Sequence, residues 1–478
     1  LVANTPRTVK EILPSLTAIV VSKLSSPDDV QRTIAAQTLG EMVRRVGANA
    51  LAQLLPTLQE SDDKQGVCIA VTELIKSTSH DGLVQYQDIF IDIIKDGLVS
   101  SREEAAVAFD ELHQELGKVV IDEIVPDLLK RLKEPNALLA LKDIMLKKSD
   151  VIFPILLPTL LTSPVDTEAL AALAPVAGSA LYKRLAVIIN TLVNAESEAI
   201  DEVMLSVEDD GVHTLMQIIM GLLKDEDTKR RVFIFSRLAG FFANTELDYS
   251  MYLEDMVTRL ILSLADPSPD VVKGAFEALS ALVKRQPKEV LEKLVKPAKQ
   301  TLDLCIDIPA FSLPKGPNCI LPIFLHGLMY GNHKEEAALG IADIIDKTPA
   351  ENLRPFSTSI TGPLIRVIGE KVASDIKAAI LVALNNLLLK IPQFLRPFIP
   401  QLQRTFVRSL SDSNEKLRKR AVVALGTLIK FQPRVDSLVT ELVNGSKTSE
   451  YKDSMLKAML VVVEQAGKNL SEASKQAI

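Results

Sequence analysis

Few residues of this 478-residue sequence are placed to make or break bonds. Five histidines (His80, His113, His213, His326 and His333) are scattered with no partner at i+4, so no two imidazoles share a helical turn as a metal pair would. Cys68, Cys305 and Cys319 are too few for a disulfide framework and form no CxxC pair; they read as small buried apolar residues in a reducing, cytosolic setting. The triplet Glu208-Asp209-Asp210 lacks a second acidic cluster at helical spacing. It reads as a turn with helix-capping carboxylates, not as a cation site. Walker A, GxGxxG, HExxH and GxSxG sequences are all absent, so neither catalysis nor a cofactor, a metal or a small-molecule substrate is expected.

What remains is charge. The whole chain carries 54 basic and 61 acidic side chains, a net of −7. Between Arg354 and Arg434 there are 14 basic residues against four acidic ones, a net of +10, which leaves −17 for the rest. Such asymmetry points to a partner of opposite sign. The segment includes Arg354, Arg366, Lys371, Lys377, Arg396, Arg404, Arg408, Lys416, Arg418, Lys419 and Arg420. Some of these read as the ordinary basic position of a repeat, forming a solvated ladder, and Lys377 and Arg418 fit that role. Arg354, Arg366, Arg404 and Arg408 do not, so with Lys371 and Lys377 they form the candidate partner-binding set. Nucleic acid would also be drawn to this charge. However, the segment has no Trp or Tyr, and its phenylalanines (Phe356, Phe394, Phe398, Phe406, Phe431) mostly fall at core spacing, which disfavours base stacking. An acidic protein domain is the stronger candidate; contact with ribosomal RNA phosphates stays open.

The elements that hold these residues are repeats. A two-part unit recurs: an apolar helix often entered through Leu-Pro or Ile-Pro, then a helix opened by Asp, Ser, Pro or Asn and carrying a basic residue and small alanines. ITGPLIRVI (360–368) precedes SDIKAAILVALNNLLL (374–389), and FIPQLQRTFVRSL (398–410) precedes SNEKLRKRAVVALGTLI (413–429). Pro14 to Pro56 spans 42 residues, Pro322 to Pro363 spans 41 and Pro363 to Pro400 spans 37. Periods near 40 predict an all-α solenoid of about 11–12 HEAT-type hairpins. Ser26, Asp28, Ser374 and Ser413 are the expected N-caps of second helices. Composition agrees: 47% of residues are hydrophobic but only 4% aromatic, with no Trp, which suits thin stacked helices. No apolar run approaches the roughly 18 residues of a membrane span.

Three regions are expected: an N-terminal arm over 1–296, an inter-repeat loop over 297–319 that interrupts the period with four prolines and marks a bend, and a C-terminal arm with the basic surface over 320–478. Residues 163–210 drift from the repeat pattern. Leu1 already lies in a helical pattern, as in a segment of something longer.

The runs ENLRPFSTSITGPLIRVIGEKVASDIKAAILVAL (351–384), FLRPFIPQLQRTFVRSLSD (394–412), SPVDTEALAALAPVAGSAL (163–181), SVEDDGVH (206–213) and FSLPKGPNCILP (311–322) strongly resemble one family. It is that of the translational activators of general amino-acid control, very large ribosome-associated HEAT proteins that support the starvation-responsive kinase of initiation factor 2. The resemblance places the chain in their C-terminal part. It implies docking of RWD domains, namely that of the kinase and those of competing RWD regulators, with the ribosome reached through the full-length protein. It also implies a role in kinase binding for the arginine of LRPF, Arg354. Extension to Arg366, Lys371 and Lys377 rests on proximity and charge alone. A nuclear transport receptor or a phosphatase scaffold, also HEAT solenoids, are the alternatives; the latter has a stricter 39-residue period.

Overall fold

The computed structural model describes residues 6–432 and 435–478, with side chains from residue 12 onward. Arg434, the last residue of the basic segment, lies outside the described residues. The described chain is helical throughout and contains no strand. It divides into two compact units, 1–218 and 219–478, and not at the proline-rich stretch near 300.

In the first unit the hairpins are regular at first. Pro6–Leu24 packs with Asp29–Val46, and Leu51–Gln59 leads into Lys64–Ser77, whose neighbours are Gln87–Ser100 and Arg102–Leu116. The helix Pro135–Leu160 breaks at Lys148, where φ −142° and ψ 52° leave the helical region. Beyond it the expected irregular stretch consists of short helices, Thr167–Ala177, Leu185–Asn194 and Ala199–Leu205.

In the second unit, first and second helices alternate. Leu253–Ser263 is followed by Pro269–Arg285, Leu321–Tyr330 by Lys334–Lys347, Ser357–Ile368 by Ser374–Lys390, Ile399–Ser409 by Glu415–Ile429, and Asp436–Thr448 by Lys452–Ala466. Second helices pack on second helices in the order 334–347, 374–390, 415–429, 452–466, and first helices make lighter contacts in parallel order. The second-helix seam is lined by small and branched residues: Ala378, Ala379, Ala383, Ala421 and Ala424 are buried among Leu384, Leu387 and Leu425. A lone hairpin cannot bury this face, so each copy depends on its neighbours.

Three expectations need correction. The loop begins at 305, not 297, because the helix Lys288–Leu304 runs through Pro297. The segment that follows packs two short 3₁₀ turns, Pro309–Ser312 and Gly316–Cys319, against the 269–285 helix, so it stands where a second helix would. Its Ile308, Phe311, Cys319 and Ile320 are buried, and Asn352 donates to the Ser312 and Leu313 carbonyls at 3.1 Å. Pro322 and Pro400 open their first helices as expected, but three first helices start well before their prolines: Pro14, Pro56 and Pro363 lie inside helices. Each therefore forgoes one backbone hydrogen bond. Finally, Asp28 caps its helix as expected, but Asn414 takes the place assigned to Ser413, accepting from the Lys416 and Leu417 N–H groups, while Ser374 donates its hydroxyl to Asp412 instead.

Close packing leaves no room for a side chain at several glycines, and Gly340 is one of them. A Cβ at Gly340 would lie 2.3 Å from the ring of Phe324, itself fully buried. Gly362, inside the 357–368 helix, has open space in the same direction. Gly340→Val should therefore destabilise the fold by about 1–3 kcal/mol through overpacking. Gly362→Ala should stabilise it by about 0.5–1 kcal/mol through reduced backbone entropy. Thermal melting followed by circular dichroism checks both signs.

Candidate protein-docking surface

The basic residues of the second unit fall into two groups, separated by whether the fold has already used their charge. Several on second helices are tied. Arg231 donates to the Asp225 and Glu226 carbonyls of its own turn at 2.8 and 3.2 Å and reaches Asp266 of the next repeat at 3.4 Å. Lys377 pairs with Asp412, also one repeat on, at 3.3 Å. Arg418 donates to the Asp412 and Ser413 carbonyls, both at 2.8 Å, and to the Ser454 hydroxyl at 3.1 Å, with its guanidinium over the Tyr451 ring. At the other end of these helices, Arg285 donates to the Phe242 and Thr245 carbonyls, and Lys390 to those of Asp346 and Thr348. These carbonyls end the preceding second helix, where backbone acceptors lack intrahelical partners. Burial pushes the Lys390 ammonium pKa down.

The first-helix cations between Arg354 and Arg408 are free by comparison. Arg354 opens the 3₁₀ turn Arg354–Phe356 and is exposed. Its guanidinium lies 4.7 Å from the centroid of the Phe394 ring in the next repeat. The stack holds the guanidinium while leaving its N–H edge available, since a ring face engages the cation's plane and not its donors. Arg366, in the last turn of 357–368, makes only a 3.8 Å contact with Glu370, and its side chain is 67% exposed. Such pairs contribute about 0–1 kcal/mol, so a partner's carboxylate can displace Glu370. Lys371 lies exposed in the turn that follows. Arg404 and Arg408 are exposed on the 399–409 helix. Neither they nor Lys371 shows an ion pair among the described residues. Arg408 borders a groove of about 300 Å³ walled by Ile368, Gly369 and Thr405, with Lys377 and Asp412 also lining it.

The structure thus brings Arg354, Arg366, Lys371, Arg404 and Arg408 onto adjacent first helices and their turns, and assigns Lys377 to an inter-repeat rung. The phenylalanines differ from expectation. Only Phe406 is fully buried; Phe356, Phe394 and Phe398 are half-buried, and Phe431 is 37% exposed. Phe356, Phe394 and Phe398 lie in the 3₁₀ turns that lead into first helices, not in the helices themselves. Phe394, missed in the sequence, was detectable as the residue 40 positions beyond Arg354.

Elsewhere the reactive residue types are spent on packing. All three cysteines are buried; desolvation pushes the Cys68 thiol up to about 12 and raises the other two. Among the described residues no cluster of His, Cys, Asp or Glu is arranged to hold a metal, and no helix is long and apolar enough to cross a membrane. In the acidic triplet, Glu208 accepts a hydrogen bond from the Tyr182 hydroxyl at 2.9 Å and caps no helix.

Fold and surface together define a HEAT-repeat array with an unneutralised basic face. Residues 152–315 match the family model described as "Stalled ribosome sensor GCN1-like, HEAT repeats". Over 99% of its length the chain is 55% identical to the eIF-2-alpha kinase activator GCN1 of Saccharomyces cerevisiae. It is 38% identical, again over 99%, to the stalled ribosome sensor GCN1 of Mus musculus. The Arabidopsis thaliana protein ILITYHIA is 33% identical over the same share. In each case the chain spans 19% of the relative's length. By sequence, this HEAT-repeat segment belongs to the GCN1 family.

The rung assignment is testable through Asp412. Burial works to raise its pKa, but hydrogen bonds from the Asn414 N–H, Ser374 and Lys377 outweigh it, and the carboxyl is held below its ordinary value. A depressed folded pKa means stability that is present above the unfolded value, about 3.9, and lost as pH falls through the folded one. Asp412→Asn should therefore lower the melting temperature at pH 7, and the gap to wild type should shrink below about pH 4. Melting at both pH values checks this; a gap that does not change with pH contradicts the rung.

Proposed function

We propose that this segment is a non-catalytic docking scaffold. Its first-helix basic face binds the RWD domain of the amino-acid-starvation kinase of initiation factor 2, and competing RWD-domain regulators bind the same face. In this reading the longer protein carries the segment in the cytoplasm to stalled ribosomes, where docking supports kinase activation and translational control. One observation carries it: between Arg354 and Arg408 the second-helix cations Lys377 and Lys390 are bonded within the fold, whereas those on first helices and their turns make at most one long ion pair among the described residues. Unneutralised charge costs self-repulsion and gives the fold nothing in return, so an external carboxylate-bearing partner accounts for it. The kinase-activator description of the yeast relative favours an RWD domain over the partners of a transport receptor or phosphatase scaffold.

Arg354 is the anchor of this reading, held by Phe394 and free to form a charge-assisted fork with a carboxylate. Titration of the chain with the kinase RWD domain, wild type against Arg354→Glu, tests it. Binding should fall at least tenfold, about 1.4 kcal/mol, with the helical signal and melting unchanged, because an exposed cation–π stack contributes only about 0.5–1 kcal/mol to the fold. Affinity should also fall as ionic strength rises. A folded Arg354→Glu chain that binds like wild type would sink the assignment.

A further inference from the structure

The sequence LRPF occurs twice, at 353–356 and at 395–398, 42 residues apart. The structure puts both copies in the same place, a 3₁₀ turn leading into a first helix: Arg354–Phe356 before Ser357–Ile368, and Pro392–Phe398 before Ile399–Ser409. Each copy is followed 12 residues later by a second arginine in the last turn of that helix, Arg366 and Arg408. Two adjacent first helices are therefore each flanked by an arginine at either end, and all four arginines are exposed.

Arg396 is the member of this set that charge counting alone does not single out. Its positional equivalent, Arg354, rests on Phe394; the residue at the same offset from Arg396 is Asp436. That carboxylate is already used, accepting from the Ser471 N–H and from the Ser471 and Ser474 hydroxyls at 2.6–2.9 Å. Arg396 has no ion pair among the described residues, and its side chain is left to solvent. Among the described residues the only carboxylate against any of the four is Glu370, in the long contact with Arg366 and shared with Lys334 at 3.8 Å. Neighbouring helices pack roughly 8–10 Å apart, and a 12-residue helix is about 18 Å long. These dimensions fit within the face of a standard protein interface, about 800 Å² per partner.

We infer that the docking surface is a two-repeat arginine frame, Arg354/Arg366 and Arg396/Arg408, and that Arg396 is a second anchor at the position matching Arg354, without its aromatic support. This rests on the RWD-docking reading above and extends it. The frame selects a folded acidic protein surface presenting carboxylates in two rows one repeat apart, rather than a single acidic side chain. Arg404, midway along the 399–409 helix, lies inside the frame. A protein surface is favoured over RNA because the Phe394 ring beside the frame is already covered by the Arg354 guanidinium, and phosphate contact alone carries no such register.

Arg354→Glu, Arg396→Glu and the double variant of the full 478-residue chain, titrated with the kinase RWD domain, test the frame. Each single reversal should weaken binding about tenfold, and the double about a hundredfold, because sites this far apart act nearly independently. Melting should not change in any of them. If Arg354→Glu loses binding while Arg396→Glu binds like wild type, the frame is wrong and the single-anchor reading survives. If both bind like wild type, both readings fall. Polyuridylate is the control probe: Arg396→Glu losing polyuridylate binding while keeping the RWD domain would assign this residue to RNA and overturn the proposal.

Discussion

Side-by-side packing of second helices is the contact on which everything else in the second unit depends. A hairpin of two helices has more apolar surface than its own two members can cover. The 374–390 and 415–429 helices solve this with alanines at the crossing positions, which let Leu384, Leu387 and Leu425 meet in a closed seam. Because the seam side chains are buried, whatever polar groups reach its ends must be satisfied there. That is why Arg285 and Lys390 cover the carbonyl ends of the helices beside them, and why Asp412 ties together Ser374, Lys377 and the Asn414 cap.

This constraint sorts cations by location. A lysine or arginine at the edge of the seam completes hydrogen bonds to partly buried groups, each contributing on the order of 1.5–3 kcal/mol. The same residue on a first helix meets water, where an ion pair contributes about 0–1 kcal/mol. Selection for the fold alone therefore accounts for Lys377 and Arg418 and is nearly silent about Arg354, Arg366, Arg396 and Arg408. Net charge cannot make this distinction, since the +10 of residues 354–434 adds both kinds together.

The period, the hairpin order and the equivalence of Lys377 with Arg418 were legible because each depends on local spacing. Other features depend on geometry that spacing does not encode. Proline inside Ser357–Ile368 reads as a helix start, because the penalty for a missing donor is small enough for the hairpin to absorb. Ser413 and Asn414 are both good caps, and only the turn decides which side chain faces the first N–H groups. The stretch from 305 to 320 carries prolines that deny it a helix, yet its buried Ile308 and Phe311 fill the space a helix would. Phe394 looked like a core residue because aromatic spacing at a helix edge resembles that of the interior. The duplicated LRPF was visible all along, but its meaning required knowing that both copies are turns on the same face.

The free cations also bear on how the surface works. Arginines at the ends of neighbouring first helices stand about one helix spacing apart, roughly 8–10 Å, which is comparable to the Debye length at physiological salt. Their mutual repulsion is modest in water and grows when a partner excludes solvent, unless that partner brings carboxylates to match. The surface therefore penalises neutral or basic partners by the same mechanism that rewards acidic ones, which is specificity through mismatch as much as through contact. The Arg354–Phe394 stack sharpens this, because a guanidinium already held against a ring loses less freedom when a carboxylate arrives. Rigidity supplied by the repeat scaffold, and charge left over by it, are together what make a packing motif into a recognition surface.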